Sequence, residues 1–220
     1  MISVVIPALN AERELPRCFD SLISAAVRGV VREVIVADSG SADQTLSIAD
    51  AAGAHIVTTP SKRRSAGLIA GAAAARSDWL LFLHPETALE PGWENEVESF
   101  ISQALPERPR AAVFRFALED FGGEARRAEA KAALRSWLLA LPYGDQGLLI
   151  PKRLYVKLGG YRDLARMEDA DLVRRIGRRR LVGLRARAVN MPRPQTSALR
   201  GMWLSLLYAL RVPARVVARL

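Results

Sequence analysis

The sequence predicts an α/β domain, a Rossmann-like three-layer sandwich in which helices cover both faces of a mostly parallel central sheet. Two observations lead to this fold class. Short apolar runs alternate with segments of helical spacing through the first half of the chain, and strands joined by crossover helices are parallel. The runs are apolar at consecutive positions, which is typical of strands buried on both faces.

Four strands are predicted in the first half, each rich in β-branched or other apolar residues. The predicted strands span residues 2–6, 33–37, 54–58 and 79–83, and the predicted helices span residues 15–26, 42–52 and 65–75. Ser41 is expected to cap the second helix, and Gly29 and Gly53 are expected to follow the ends of the first two helices.

The second half is less regular. Strands are predicted at residues 111–116 and 147–150, and helices at residues 93–105, 124–141 and 168–179. The 220 residues show no repeat and no flexible linker. We therefore expect one domain over residues 1–198, followed by a basic amphipathic segment over residues 199–220.

Cysteine usage and the amino-terminal residues bear on the compartment. Cys18 is the only cysteine, so no internal disulfide can form and a buried apolar role is expected for it. The start, MISVVIPALN, lacks the charged, apolar and small-residue regions of a secretory signal peptide. We therefore expect a cytoplasmic protein.

The positive charge is concentrated towards the carboxyl terminus. The net charge is +9, yet residues 172–220 contain 12 of the 32 basic residues, all arginine, and no Asp or Glu. The preceding residues contain 20 basic and 23 acidic side chains. This asymmetry is typical of contact with an anionic surface, either membrane or nucleic acid, and a solvated basic face is the simpler alternative.

The carboxyl-terminal residues favour a membrane as that surface. Residues 202–210 are strongly apolar, but a bilayer span takes about 20 apolar residues. Arginines then recur at every fourth position over residues 211–219, on one helical face, near Trp203 and Tyr208 in the sequence. The pattern predicts a peripheral helix on the inner face of the cytoplasmic membrane, and a helix packed against the domain is the alternative.

Polar residues follow the predicted strands at their carboxyl ends, where open parallel sheets bind ligands. They form four groups, at residues 7–12, 38–43, 62–64 and 84–87. Carboxylates, a histidine and arginines on one rim suit a phosphorylated ligand held with a metal. Taken singly, Asp38 can be a helix cap, Arg63 and Arg64 a solvated loop, and His84 a structural histidine.

Several enzyme classes lack their motifs in this chain. No G-x-G-x-x-G or G-x-x-x-x-G-K-[ST] follows a predicted strand, which argues against dinucleotide oxidoreductases and P-loop phosphotransferases. With two histidines and no G-x-S-x-G, a Ser-His-Asp hydrolase is also disfavoured. PALNAERE, after the first strand, contains no glycine, which argues against a nucleotidyltransferase.

Five motifs in order resemble those of family 2 glycosyltransferases of the GT-A fold. SVVIPALNAE, EVIVADSGSADQT and LLFLHPET resemble the three opening motifs, and YGDQG and MEDADLVRR resemble the later ones. The resemblance covers residues 2 to about 175. In its short length and in the position of His84, the chain is most similar to a small bacterial subgroup of this family. It implies a GT-A sandwich and inverting transfer of a sugar from a nucleotide-sugar to an acceptor hydroxyl.

The resemblance also implies which residues hold the nucleotide. Matched to the family's nucleotide-binding positions are Pro7, Ala8, Asn10, Glu12, Asp38 and Arg64. Asp38 would accept a hydrogen bond from the base, the backbone near Pro7 would line the base pocket, and Arg64 would contact the nucleotide. The default donor is a UDP-sugar.

The family's Asp-x-Asp metal motif here reads His84-Pro85-Glu86. The match implies that Glu86, with His84 beside it, binds Mn²⁺ or Mg²⁺ bridging the diphosphate. Two further positions depart from the pattern: Ile69 stands where the subgroup often has Asn, and Ser39 where many relatives have a second Asp.

Glu168 and Asp169 resemble the family's catalytic acidic pair. Asp169 would be the general base that takes the proton of the acceptor hydroxyl. Acids at the start of a helix are also favoured by its dipole alone, so a purely structural role is the alternative. Asp145 and Gln146 match a motif on the acceptor side.

These implications predict a metal-dependent, membrane-associated hexosyltransferase-like enzyme of cell-envelope glycan synthesis. Its partners would be a UDP-sugar, a glycan or lipid acceptor and an anionic membrane, with no nucleic acid. The alternative is a catalytically degenerate family member that binds nucleotide or glycan without turnover.

Overall fold

An eight-stranded sheet runs through the part of the chain that the structure, a computed structural model, describes: residues 1–119 and 144–191. Its strands are β1 (Ile2–Ala8), β2 (Val31–Asp38), β3 (His55–Thr58), β4 (Trp79–Phe82), β5 (Thr87–Leu89), β6 (Ala111–Leu118), β7 (Leu148–Pro151) and β8 (Leu181–Asn190). The described helices are α1 (Leu15–Asp20), α2 (Ile23–Val27), α3 (Thr45–Ala51), α4 (Arg64–Ala74), α5 (Trp93–Ser102), α6 (Lys152–Lys157) and α7 (Glu168–Ile176).

The strand order is β3-β2-β1-β4-β7-β6-β8-β5. β1 pairs in parallel with β2 and β4, β2 with β3, and β6 with β8. β7 is antiparallel to β4 and β6, and β5 is antiparallel to β8. The predicted α/β class with a mostly parallel sheet is confirmed. One end of the sheet, here named the carboxyl end, therefore carries the last residues of β1 to β4, β6 and β8.

Apolar side chains fill the space on both faces of the sheet. Along β1, Val4 and Ile6 pack in one cluster, which includes residues of α1, α2, α3 and α5. Val5 points into the other, which includes residues of α4, α6 and α7. Helices therefore cover both sides of the sheet, and the loops that follow its strands are held in place at the carboxyl end.

The predicted helix over residues 15–26 is wrong as a single element, because the helix breaks between α1 and α2. The carbonyl of Ser21 accepts a hydrogen bond from the Trp93 indole (2.9 Å), and the Ser21 hydroxyl donates to the Cys18 carbonyl (2.7 Å). Both bonds replace backbone pairing at the break. Cys18 itself is 1% exposed, as the sequence predicts.

The second predicted helix begins later than expected. α3 starts at Thr45, and its N-cap residue is Gln44, not Ser41; the Gln44 side chain makes no capping hydrogen bond. Ser41 instead bonds to residues of two loops at the carboxyl end. Arg64, expected in a loop, begins α4.

The last predicted helix is shorter than expected. α7 ends at Ile176; Gly177 then takes a positive φ of 80°, and a 3₁₀ turn, Arg178–Arg180, leads into β8. Neither β5, β8 nor α6 was predicted. The predicted helix over residues 124–141 and the segment over residues 199–220 lie outside the described residues, so the domain boundary stays a prediction. Within residues 1–119 and 144–191, no helix combines the length and apolar character needed to cross a bilayer.

Candidate active site

A cleft of about 420 Å³ opens at the carboxyl end of the sheet. Six of the predicted site residues line it: Pro7, Ala8, Asn10, Arg64, His84 and Glu86. Ser39 and Lys62, which belong to the predicted strand-end groups, also line it. Glu14 and Met191 line it too, and sequence reasoning did not assign them a role. The structure therefore brings the loops after β1, β3 and β4 together, as the strand-end argument predicts.

The loop after β1 is fastened to the loop after β2. The Asn10 amide donates to Ser41 Oγ (2.8 Å), and the Ala42 amide donates to Asn10 Oδ1 (2.9 Å). Two residues further along each loop, the Gln44 amide donates to Glu12 Oε2 (3.0 Å). The side chains of Asn10 and Glu12 thus fix the two loops, which form one wall of the cleft. Glu12 itself does not line the cleft.

Asp38 is buried under the same wall, with 1% of its surface exposed. Its Oδ2 accepts hydrogen bonds from the amides of Gly40 (2.9 Å) and Ser41 (3.1 Å), and its Oδ1 accepts one from the Ser41 hydroxyl (2.5 Å). Asp38 is not among the cleft-lining residues. In this arrangement its carboxylate fixes the turn after β2.

Arg64 joins the cleft to the predicted catalytic pair. Its Nε donates to Glu168 Oε1 (2.5 Å) and its Nη2 donates to Asp169 Oδ2 (2.6 Å). Both carboxylates are buried in the first turn of α7, where Glu168 is 2% and Asp169 6% exposed. Burial alone would lower the pKa of Arg64, but the charges of Asp169 and Glu168 raise it above its ordinary value. The guanidinium therefore compensates two buried negative charges.

His84 lies on the other side of the same guanidinium. Arg64 Nη1 is 2.8 Å from His84 Nε2, and His84 Nδ1 is 3.2 Å from Glu86 Oε1. Arg64 Nη1 also lies 3.4 Å from His84 Nδ1, so the guanidinium contacts both ring nitrogens. His84 and Glu86 are both buried, at 5% and 8% exposure.

This arrangement bears on the predicted metal ligands. Both ring nitrogens of His84 are engaged, so His84 cannot ligate a metal unless Arg64 moves away. Glu86 lines the cleft and offers a carboxylate there. Across the described residues, no group of three or more His, Cys, Asp or Glu is placed to hold a metal. A single carboxylate fits Mg²⁺ or Mn²⁺ where substrate phosphates and water complete the coordination.

Tyr161 supports Asp169 from the opposite side. Its hydroxyl donates to Asp169 Oδ1 (3.0 Å), and its amide donates to the hydroxyl of Tyr155 (3.1 Å). Burial raises the pKa of Tyr161 well above its usual value, and the charge of Asp169 and the hydrogen bond to it raise the pKa further. Nothing in the sequence pattern pointed to this residue, because it precedes the acidic motif in an irregular loop.

Asp145 and Gln146, predicted on the acceptor side, lie in a short 3₁₀ turn before β7. Asn190, at the end of β8, donates through Nδ2 to the Asp145 carbonyl (2.8 Å) and accepts from Thr87 Oγ1 (2.7 Å). Next along the chain, the Met191 amide donates to the Glu86 carbonyl (3.3 Å). The turn is thereby fixed at the carboxyl end, although neither predicted residue lines the cleft.

The motifs that surround the cleft match one protein family. The sequence profile of "Glycosyl transferase family 2" matches residues 3–137, which is more than half of the chain. The chain belongs to glycosyl transferase family 2. The predicted resemblance is confirmed, and the match includes the loops of β1 to β4 that form the cleft.

Curated relatives of this family 2 chain match a shorter stretch. Glucosyl-3-phosphoglycerate synthases of Mycobacterium tuberculosis and Mycolicibacterium paratuberculosis are 53% identical to it over 57 residues. The match covers 26% of this chain and 17% of each relative, well under two thirds of their length.

Solved structures match the family 2 chain over nearly its whole length. The M. tuberculosis glucosyl-3-phosphoglycerate synthase in complex with phosphoglyceric acid gives a TM-score of 0.71 at 22% identity. The complex of that enzyme with Mn²⁺, UDP and glucosyl-3-phosphoglycerate gives 0.67 at 23% identity. Each match covers 97% of this chain and 81% of the other. The shared GT-A fold is thereby established.

Proposed function

We propose that this chain is an inverting glycosyltransferase that moves a sugar from a UDP-sugar to an acceptor hydroxyl. One observation carries the proposal: Arg64 links the buried pair Glu168 and Asp169 to His84 and Glu86 at the rim of the cleft. Family membership and the UDP complexes of the mycobacterial structures support the donor class. Asp38 stays a predicted nucleotide contact, and its bonds within the turn support a role in shaping the base pocket.

Asp169 is proposed as the general base. Its carboxylate takes the proton of the acceptor hydroxyl while that oxygen bonds to the anomeric carbon and the bond to the diphosphate breaks. Attack from the face opposite the leaving group inverts the linkage. Glu168 and Tyr161 act by holding Arg64 and Asp169, respectively, in place.

Glu86 is proposed as the protein ligand of a divalent cation, with His84 orienting its carboxylate. The mycobacterial structures contain Mn²⁺ or Mg²⁺ with UDP. A cation bound at Glu86 would neutralise charge that develops on the leaving diphosphate. Arg64, at the same rim, can donate to the same oxygens once the donor enters, because its guanidinium carries five N–H groups.

We propose a small phosphorylated hydroxy compound as the acceptor class. The relatives are glucosyl-3-phosphoglycerate synthases, and a complex with phosphoglyceric acid is among the similar structures. A lipid-linked acceptor and a membrane surface remain predictions from residues 199–220, which lie outside the described residues. The cytoplasmic location likewise stays a prediction.

Thermal unfolding with nucleotides tests the donor and metal proposals. UDP, GDP, dTDP and CMP are each added with and without Mn²⁺. At 100 times its dissociation constant, a ligand of the native state adds about 2.7 kcal/mol of stability. We expect a Mn²⁺-dependent shift with UDP that weakens in Glu86→Ala and persists in Glu90→Ala, whose carboxylate pairs with Arg187 away from the cleft. Absence of a shift with every nucleotide would contradict the proposal.

A further inference from the structure

A second cavity, of about 830 Å³, lies at the amino end of the sheet, opposite the cleft. It is bounded by α6, by the residues before β6 and by the 3₁₀ turn before β8. Register places it there, because Pro151 at the end of β7 pairs with Trp79 at the start of β4. Five basic side chains line the cavity, here named the basic pocket: Arg108, Arg110, Lys157, Arg179 and Arg180.

The charges of the basic pocket are uncompensated within the described residues. None of its five basic side chains is in an ion pair there, and Glu107 is the one acidic residue in the lining. Arg64 at the cleft, by contrast, is paired with two carboxylates. Arg110 also lies 6.0 Å from the centroid of the Phe100 ring, a cation–π contact that supplies no opposite charge. Like charges held together without carboxylate partners favour an anionic ligand.

Apolar side chains accompany these charges. Leucines and Pro109 contribute to the lining, and Leu105 among them is 52% exposed. Val156 of α6, next to Lys157, is 64% exposed. Exposed aliphatic groups beside unpaired cations match the boundary between lipid headgroups and acyl chains, where charge and apolar contact both contribute.

We propose that the basic pocket binds phosphate headgroups of an anionic membrane surface. This proposal is independent of the sugar-transfer chemistry, since no residue of the basic pocket lines the cleft. It also fixes an orientation: with the amino end of the sheet on the membrane, the cleft at the carboxyl end faces away. Nucleotide and membrane then bind at the same time.

Co-sedimentation with vesicles tests the proposal. The full chain is mixed with vesicles that contain phosphatidylglycerol and with vesicles of phosphatidylcholine alone. We expect salt-sensitive binding to the anionic vesicles only, unchanged by UDP. Each basic residue lost should weaken binding about fivefold, so Arg179→Gln/Arg180→Gln should weaken it about 25-fold. A Val156→Asn variant tests the apolar part and should also weaken binding.

Arg13→Gln/Arg166→Gln is the matched control, because both arginines are exposed and belong to loops at the carboxyl end. It removes the same charge and should bind as wild type does, with the thermal midpoint of both double variants unchanged. The proposal would be overturned by no binding of wild type to anionic vesicles, by equal loss in the control, or by loss only in Arg211→Gln/Arg215→Gln. Tighter binding to a DNA duplex than to the vesicles would also overturn it.

Discussion

Arg64 Nη2 lies 2.6 Å from Asp169 Oδ2 and joins the first turn of α4 to the first turn of α7. The two residues are 105 positions apart in the chain. The contact places a positive charge between the cleft and the proposed base. Donor binding and proton transfer are therefore expected to depend on one side chain.

Arg64→Gln should destabilise the fold because it leaves Glu168 and Asp169 buried without a cation. The expected loss is about 2 kcal/mol of unfolding free energy. It is smaller than for a fully buried ion pair, because 38% of the Arg64 side chain is exposed. Urea denaturation measures it. Arg63→Gln breaks a neighbouring pair that is exposed on both sides and should cost less than about 1 kcal/mol. Equal losses in the two variants would contradict the assigned role.

Tyr161→Phe should lower kcat with little change in KM for the donor. The substitution removes the hydroxyl that donates to Asp169 Oδ1, and a base left about 1 Å out of place can lose about 10²-fold in rate. Tyr155→Phe is the matched control, because the hydroxyl of Tyr155 meets the Tyr161 amide and not a carboxylate. If kcat falls equally in both, the effect is one of packing.

Cys18 should resist thiol reagents in the folded protein. Burial raises the pKa of its thiol to about 12, and the charge of Arg17 opposes the rise only in part. The native protein at pH 8 should therefore label far more slowly than the protein in guanidinium.

The same shift sets a pH dependence of stability. The unfolded thiol loses its proton near pH 8.5, whereas the folded one keeps it to about pH 12. The buried thiol's contribution to the free energy of unfolding is therefore complete below the unfolded pKa. It is lost as the pH rises from there towards the folded pKa of about 12, by up to about 1.4 kcal/mol per pH unit. Cys18→Ala should show a shallower alkaline loss, and an identical slope would contradict the burial effect.

Much of the fold could be predicted from the sequence because its strands are strongly patterned. β1, β2 and β4 each contain a run of apolar residues, and they occur where predicted to within a few residues. β8 was missed because Gly183, Arg185 and Arg187 interrupt its apolar residues. The side chains of these two arginines are exposed. The amide of Arg185 donates to Glu96 of α5 (2.8 Å), and the local sequence pattern does not reveal a contact between elements so far apart in the chain.

The sequence predicted which side chains lie at the candidate site, but not which of them contact each other. Strand ends pointed to Arg64, His84 and Glu86 as neighbours, which the cleft confirms. The contacts of Arg64 with His84 and Asp169 could not be predicted from sequence spacing, because they depend on how distant elements of the chain approach each other. Tyr161 was missed because it lies in an irregular loop before the acidic motif.

Gly71→Ala should destabilise the packing of α4 on β1. A Cβ atom at Gly71 would lie 2.4 Å from Val5 Cγ1, so Val5 or the helix must shift at a cost of about 1–3 kcal/mol. The better helix propensity of alanine offsets about 1 kcal/mol of this. Thermal unfolding measures the difference. Gly183→Ala, where no atom lies within 4 Å of the added Cβ, should be nearly neutral, and the reverse order would contradict the packing.

The release of UDP from UDP-glucose, with 3-phosphoglycerate and other phosphorylated acceptors and Mn²⁺, tests whether the chain transfers sugar with Asp169 as the base. Wild type is compared with Asp169→Asn. Asp163→Asn is the control, because it makes the same substitution at an exposed aspartate that pairs with Arg63. We expect acceptor-dependent turnover that falls about 10²- to 10⁴-fold in Asp169→Asn and persists in Asp163→Asn. Turnover that is unaffected in Asp169→Asn, or a wild type that binds UDP without any transfer, would contradict this expectation.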